Sequence, residues 1–446
     1  MTQTNSADVD GPDPSDRAEG KTGQRGLRQA FIALEYGDYR RFAASLLLTS
    51  LGAQLLQTAV LWQVYEMTGS ALLLGFTGLA RAAPHIVLSL AGGVVADRVD
   101  RVRLIQAGQV GNAALVLVLA GLTLAGAAEV WHLYVITFLN SAFTAVTSPA
   151  RTALIPRLIP AGNLVNAVAL NATVQQTSQI VGPALAGVAI GTIGLGAAYV
   201  INGILYLAAM AAIVGIRSPL EPQASNESPW RSFMDGLIFV RQKPVIISLL
   251  VIDLGETIFG SYRALLPIFA TILGVGATGY GLLSAAPGVG SLAGAVFILS
   301  LGDMKYKGLY TVFGVLAYCV ALVLLALSPW FPLTLLAAVL LGATNSVQMI
   351  PRNSAILAIS PDALRGRVEA FRSMLAGGGP PLGYTLSGGL AGVLGPPLAL
   401  VVGAAACAVL VAGVGITRRE LHDPYLGSTM NTETYPTLAN AASKDR

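Results

Sequence analysis

Residues 251–263 read VIDLGETIFGSYR, and three of them carry charge: Asp253, Glu256 and Arg263. The flanks, PVIISLL and ALLPIFATILGV, are apolar, so 245–272 is long enough to cross a bilayer. An ionisable residue in such a segment costs about 2.5–3.5 kcal/mol on insertion scales and usually faces a cavity or a partner. On a helix, Asp253 and Glu256 are i,i+3 neighbours, and their mutual repulsion favours taking up a proton. That is the chemistry a proton coupler needs. Glu256 and Arg263 are seven residues apart and would share a face roughly 10 Å apart along the axis, with Gly260 between them. Glu256, with Asp253, is therefore the expected proton carrier. The same charges also fit a salt-bridge set that only holds helices together.

The chain that must position them has 446 residues, 54% hydrophobic and 11% charged. Soluble domains carry about 25% charged residues, and the 50 glycines here suit closely packed membrane helices. Twelve segments are long and apolar enough to span: 42–65, 71–96, 104–126, 131–148, 164–190, 196–216, 245–272, 278–300, 309–328, 332–350, 372–393 and 396–416. The loops on one side of this count hold 25 of the 27 Lys and Arg residues, and the loops on the other side hold none. The positive-inside rule then puts both termini in the cytoplasm. Arg81 and Arg263 are the two cations left inside spans, at similar depth in the outer half, with the carboxylates deeper.

RTALIPRLIP (151–160) and RNSAILAISP (352–361) follow the fourth and tenth segments 201 residues apart, and Asp97 and Asp303 follow the second and eighth. The chain therefore reads as two six-helix halves, 27–216 and 245–418, joined by a cytoplasmic linker at 217–244. Residues 27–41 suit an amphipathic lead-in helix on the membrane surface, through Leu27, Phe31, Leu34 and Tyr39. Residues 1–26 lack the apolar core of a secretory signal, and they and the tail at 419–446 read as disordered cytoplasmic ends.

GGVVADRVDRVR (92–103) packs Gly93, Asp97, Arg98, Arg101 and Arg103 into the turn between two spans. A positive-inside anchor explains the arginines but not Gly93 or the aspartates. A latch that pairs charges across helix ends in one conformation explains all of them, with Asp303 in a degenerate second copy, GDMKYKG. The pattern resembles the loop signature of the major facilitator superfamily, G-x-x-x-D-R-x-x-R-R/K. Gly182, Pro183 and Gly187 in QQTSQIVGPALAGVAIG fit either a kinked, packed helix or the Gly-Pro motif of that superfamily's antiporters. With the stretch ARTALIPRLIPAGNLVNAVALN, the chain resembles the bacterial drug:proton antiporters that include enterobactin exporters and macrolide-efflux proteins.

The resemblance covers about 27–418. It implies an all-α membrane fold of twelve helices in two bundles, alternating access, and proton-driven export of a drug-like compound or siderophore from a bacterial inner membrane. An importer or uniporter of the same fold, or a non-transporting sensor, are the other readings. In this fold the first, fourth, seventh and tenth spans line the cavity. With the second span also facing it, the candidates for its wall are Arg81, Arg263, Gln54, Gln57, Asn140, Asn345, Gln348, Phe259 and Tyr262, and on the fifth span Asn171 and Gln175, the arginines holding acidic substrate groups or gating the carboxylates. Such polar residues also serve as glue between helices.

No enzyme is expected: the chain has neither a Walker A pattern nor a nucleophile–base constellation. His85, His132 and His422 have no metal-ligand spacing, and Cys319 and Cys407 read as buried small hydrophobes. The expected energy source is the proton gradient, with no cofactor and no metal. The expected partners are a small molecule and the bilayer, with no nucleic acid, for a monomeric protein.

Overall fold

The computed structural model describes residues 32–216, 229–302, 304–424 and 426. The expectations for 1–31, 217–228, Asp303 and 427–446, and for the side chains of Gly93 and Asp97, lie outside the described residues. Nearly everything described is helix: α1 (Gly37–Thr68), α2 (Ala71–Arg98), α3 (Arg101–Leu124), α4 (Val130–Leu158), α5 (Leu164–Ile193), α6 (Leu195–Ile213), α7 (Pro229–Gln242), α8 (Pro244–Phe259), α9 (Leu266–Ile272), α10 (Gly276–Ser300), α11 (Lys307–Leu327), α12 (Phe331–Ile359), α13 (Asp362–Leu394) and α14 (Pro396–Thr417). Among the described residues, ten segments are long and apolar enough to cross a membrane, with α8 and α9 counted as one. The long helices α5 and α13 are not among those ten.

Four sequence expectations change. The stretch 131–148 continues as helix to Leu158 and 332–350 to Ile359, through Pro149, Pro156 and Pro351. Prolines are tolerated inside such helices because neighbouring groups satisfy the freed carbonyls. The segment 245–272 is not one helix: α8 stops at Phe259, and a short 3-10 turn at Arg263–Leu265 leads into α9. The linker contains a helix, α7, packed on α13 with Phe239 and Val240 buried. The lead-in is not a single surface helix over 32–41. A 3-10 turn ends at Glu35, Tyr36 is extended, and Tyr39 is fully buried in α1, where its hydroxyl donates to Ala167 O (2.9 Å) and Asn171 Oδ1 (3.0 Å).

The repeat persists in the backbone. Arg151 lies in α4 and Arg352 in α12. The one-residue turns α5–α6 and α13–α14 are Gly194 and Gly395, again 201 apart, with φ of 86° and 83°. Only glycine adopts that backbone without strain. Among the first six helices, α1 packs on α5 and α6, α2 on α4, and α3 on α4 and α6. Later in the chain, α10 and α11 pack on α12, α11 on α14, and α8 on α13 and α14.

Two helix pairs, α2–α13 and α5–α10, join the early helices to the late ones. Each pair has a crossing of glycine on glycine. A Cβ on Gly388 would stand 2.5 Å from Gly75 Cα, and one on Gly187 would stand 2.6 Å from Gly281 Cα. Small residues let backbones approach this closely and so maximise dispersion between helices that gain little from hydrophobic burial in lipid. Both crossings lie toward the helix ends whose loops carry no Lys or Arg. The sequence places no cations there, and the structure places these two glycine crossings there.

Gly187→Leu forces those backbones apart and lowers the apparent melting temperature of the detergent-solubilised protein, by the equivalent of about 1–3 kcal/mol. Gly389→Ala, which meets nothing within 4 Å, leaves the melt within about a degree of wild type. Equal melts for both variants would contradict the role of the crossing.

Candidate functional site

α8 presents Asp253 and Glu256 one turn apart, and α12 presents Asn345, Gln348 and Arg352 along one face at i, i+3 and i+7. The two faces meet. Asn345 Nδ2 donates to Glu256 Oε1 (3.0 Å), and Gln348 Nε2 donates to Glu256 Oε2. Gln348 Oε1 accepts from Arg352 Nη1 (2.7 Å), which is also 2.7 Å from Asp253 Oδ1. Glu256 and Arg352 are each 4% exposed and Gln348 1%. A continuous string therefore runs Glu256–Gln348–Arg352–Asp253.

Its electrostatics are uneven. Asp253 and Arg352 neutralise one another. Both oxygens of Glu256 accept hydrogen bonds from neutral amides, and no cation touches it among the described residues. The cluster is neutral when Glu256 is protonated and carries one negative charge when it is not. Asp253 and Glu256 were expected to be partners of each other and of arginines. The structure adds Arg352, which the spacing of apolar residues places in a loop after a span ending at 350. The usable signal was the spacing of 345, 348 and 352, which stays on one helical face if Pro351 does not end the helix.

The equivalent place in the first half holds no carboxylate among the described residues. Arg151 Nη2 reaches Thr49 Oγ1 (3.4 Å), and Gln109 Nε2 donates to Ser45 Oγ (2.8 Å) and Thr49 Oγ1 (3.1 Å). The chemistry has been concentrated in one repeat.

The break after α8 separates Arg263 from the carboxylates, so the shared helical face expected for Glu256 and Arg263 does not exist. Tyr318 donates its hydroxyl to Gly260 O (2.8 Å), satisfying a carbonyl that the interrupted helix leaves open. Arg263 instead lines a small recess with Gln54, Gln57, Pro183, Tyr280 and Ser284. Gln57 Nε2 donates to Tyr384 on α13 (2.8 Å), and Trp62 stacks on Tyr280 at 5.5 Å, so both residues bridge the early and late helices.

Other expected cavity residues are placed elsewhere. Arg81 does not line this recess; its carbonyl accepts from Ser141 Oγ (2.7 Å). Asn140 bonds to Asn112 (3.0 Å) and Tyr206 (3.4 Å) within the first six helices, and Asn171 is held by Tyr39. Gln175 is exposed, Phe259 is half-buried, and Tyr262 is buried against Tyr318 at 6.5 Å.

Gly182 accommodates Gln54 Cβ, which a Cβ would meet at 2.5 Å, and Gly187 makes the α10 crossing, so the Gly-Pro segment works as a packing surface on two neighbours. In the charged turn, Asp100 caps α3 by accepting from Val102 N (2.8 Å) and Arg103 N (3.1 Å). Arg98 is exposed, Arg101 Nη1 donates to Ala153 O (3.3 Å), and Arg103 lies 3.8 Å from Asp100.

Known proteins agree with this architecture. A family model described as transmembrane secretion effector matches residues 30–437. Enterobactin exporter EntS of Shigella boydii is 24% identical over 351 residues, which is 78% of this chain and 83% of that protein. The uncharacterized MFS-type transporter YfiS of Bacillus subtilis is 27% identical over 228 residues, 48% of this chain and 54% of that one. The crystal structure of a point mutant of the nucleoside transporter NupG superposes with a TM-score of 0.69 at 15% identity, covering 86% of this chain and all of that one.

Asp253→Asn leaves a buried guanidinium unpaired and destabilises the protein by roughly 3–5 kcal/mol, whereas Asp253→Asn with Arg352→Gln recovers part of that loss. Thermal melts of the two singles and the double close this cycle. Additive losses would contradict the pairing.

Proposed function

The chain belongs to the transmembrane secretion effector family of major facilitator transporters, and on that basis we propose that it exports a small organic molecule in exchange for protons. The observation that carries this reading is the buried Glu256 carboxylate, held by two neutral amides and connected through Gln348 to the Arg352–Asp253 pair. A carboxylate in such a place is expensive when charged and inexpensive when protonated, so loading and unloading a proton changes the energy of the helices around it. Glu256 is the proton carrier, and Asp253 sets its field through Arg352.

Transport proceeds by alternating access between two six-helix halves, 27–216 and 245–418, with twelve crossings and both termini in the cytoplasm of a bacterial inner membrane. The proton gradient supplies the energy without a cofactor, and the protein works as a monomer. Support comes from the loop charges, from the repeat, and from the crossings Gly75–Gly388 and Gly187–Gly281 at the end without loop cations. In that orientation both crossings lie at the outer end. The turn at 92–103 acts as the latch on the opposite side. Export as the direction is supported by the exporter among the relatives and by the Gly-Pro segment.

Susceptibility profiling of an efflux-deficient bacterium expressing the chain, with and without a protonophore, finds an exported compound. Glu256→Gln then abolishes protonophore-sensitive export of that compound at unchanged expression. Export at the wild-type rate would remove Glu256 from coupling.

A further inference from the structure

We infer that the recess around Arg263 is a binding site for a small organic anion with an aromatic or apolar body, and that the exported molecule enters it acid group first. This deepens the transport reading above and rests on it. Arg263 is half-buried in the break between α8 and α9, at the meeting of early and late helices. A guanidinium stays charged in proteins. Among the described residues no carboxylate forms an ion pair with it. Tyr262 precedes it in the chain and Tyr280 lines the same recess, and neutral phenols do not cancel its charge.

Glu256 is the carboxylate that could have done so. It is turned to Asn345 and Gln348 instead, and Asp253 is taken by Arg352. Every acid on α8 is thus committed to α12, and the cation beyond the break is left with positive charge to offer. Burial of a cation without an anion is costly, and an arriving anion relieves that cost. The planar fork of donors matches a carboxylate or another two-oxygen acid. Gln54 and Gln57 add amide groups beside it, while Leu61, Leu266 and the Tyr280 ring stacked on Trp62 give an apolar wall. Such a site favours acids over neutral isosteres and rejects organic cations.

The test is calorimetric titration of the full chain in phosphatidylcholine nanodiscs at pH 7 with three isosteres: 1-naphthoate, 1-naphthamide and 1-naphthylmethylammonium. Naphthoate is expected to bind at least about tenfold more tightly than the amide, a difference of about 1.4 kcal/mol, with the ammonium weakest. Arg263→Gln is expected to remove that preference, and Arg263→Lys, which keeps the charge but loses the fork, to retain part of it. Naphthoate binding no tighter than the amide, including no binding of either, overturns the inference. So does a wild-type preference in both variants. Equilibrium binding needs neither gradient nor turnover. Loss of export with the anion preference intact therefore contradicts only the transport reading, and export without that preference contradicts only this one.

Discussion

A glutamate 4% exposed among membrane helices has to be met by hydrogen-bond donors or be neutral, and the arrangement around Glu256 is shaped by that requirement. Asn345 and Gln348 supply the donors, one to each carboxylate oxygen. They are amides, so they stabilise the ion less than a cation would and do not hold it permanently ionised. The cation that could have done so, Arg352, is bound to Asp253 at 2.7 Å. Gln348 touches both parts, giving one oxygen to Arg352 and one N–H to Glu256. The state of the carboxylate and the state of the ion pair are thereby joined through one side chain.

The remaining architecture holds α8 and α12 where this contact is made. The Gly75–Gly388 and Gly187–Gly281 approaches fix two of the helix pairs that link the early and late parts of the chain. The end of α8 at Phe259 gives Arg263 a different environment from the acids that precede it by two turns in sequence. The two halves have the same Arg in the same place, 151 and 352, yet Arg151 meets Thr49 where Arg352 meets Asp253. The frame is repeated, and a few polar residues give one arginine an acid partner and the other neutral ones.

Much of this was legible from residue types alone. Loop charge located the segments, and the carboxylates at 253 and 256 stood out because acids are rare in such surroundings. Asn345 and Gln348 were recognisable as a polar pair on one face. Arg352 was not, because Pro351 reads as the end of a helix in water, whereas here the helix continues to Ile359. The break before Arg263 was missed for the converse reason. Gly260 was read as a gap between two charges on one face, while in the structure it ends α8 and offers its carbonyl to Tyr318. The helix Pro229–Gln242 was hidden by the polar composition of its surroundings. Tyr39 looked like a surface anchor because spacing does not say which neighbour covers a face; its partner is Asn171, 132 residues away.

The most direct test is infrared difference spectroscopy of the protein in lipid between high and low pH, reading the C=O stretch of protonated carboxyl groups. If Glu256 is the group that takes and gives the proton, a reversible carboxylic acid band appears in the wild type, shifts when Asn345 is replaced by Leu, and is missing in Glu256→Gln. A Glu256→Gln spectrum indistinguishable from wild type across the whole titration would contradict the assignment of the proton to this residue.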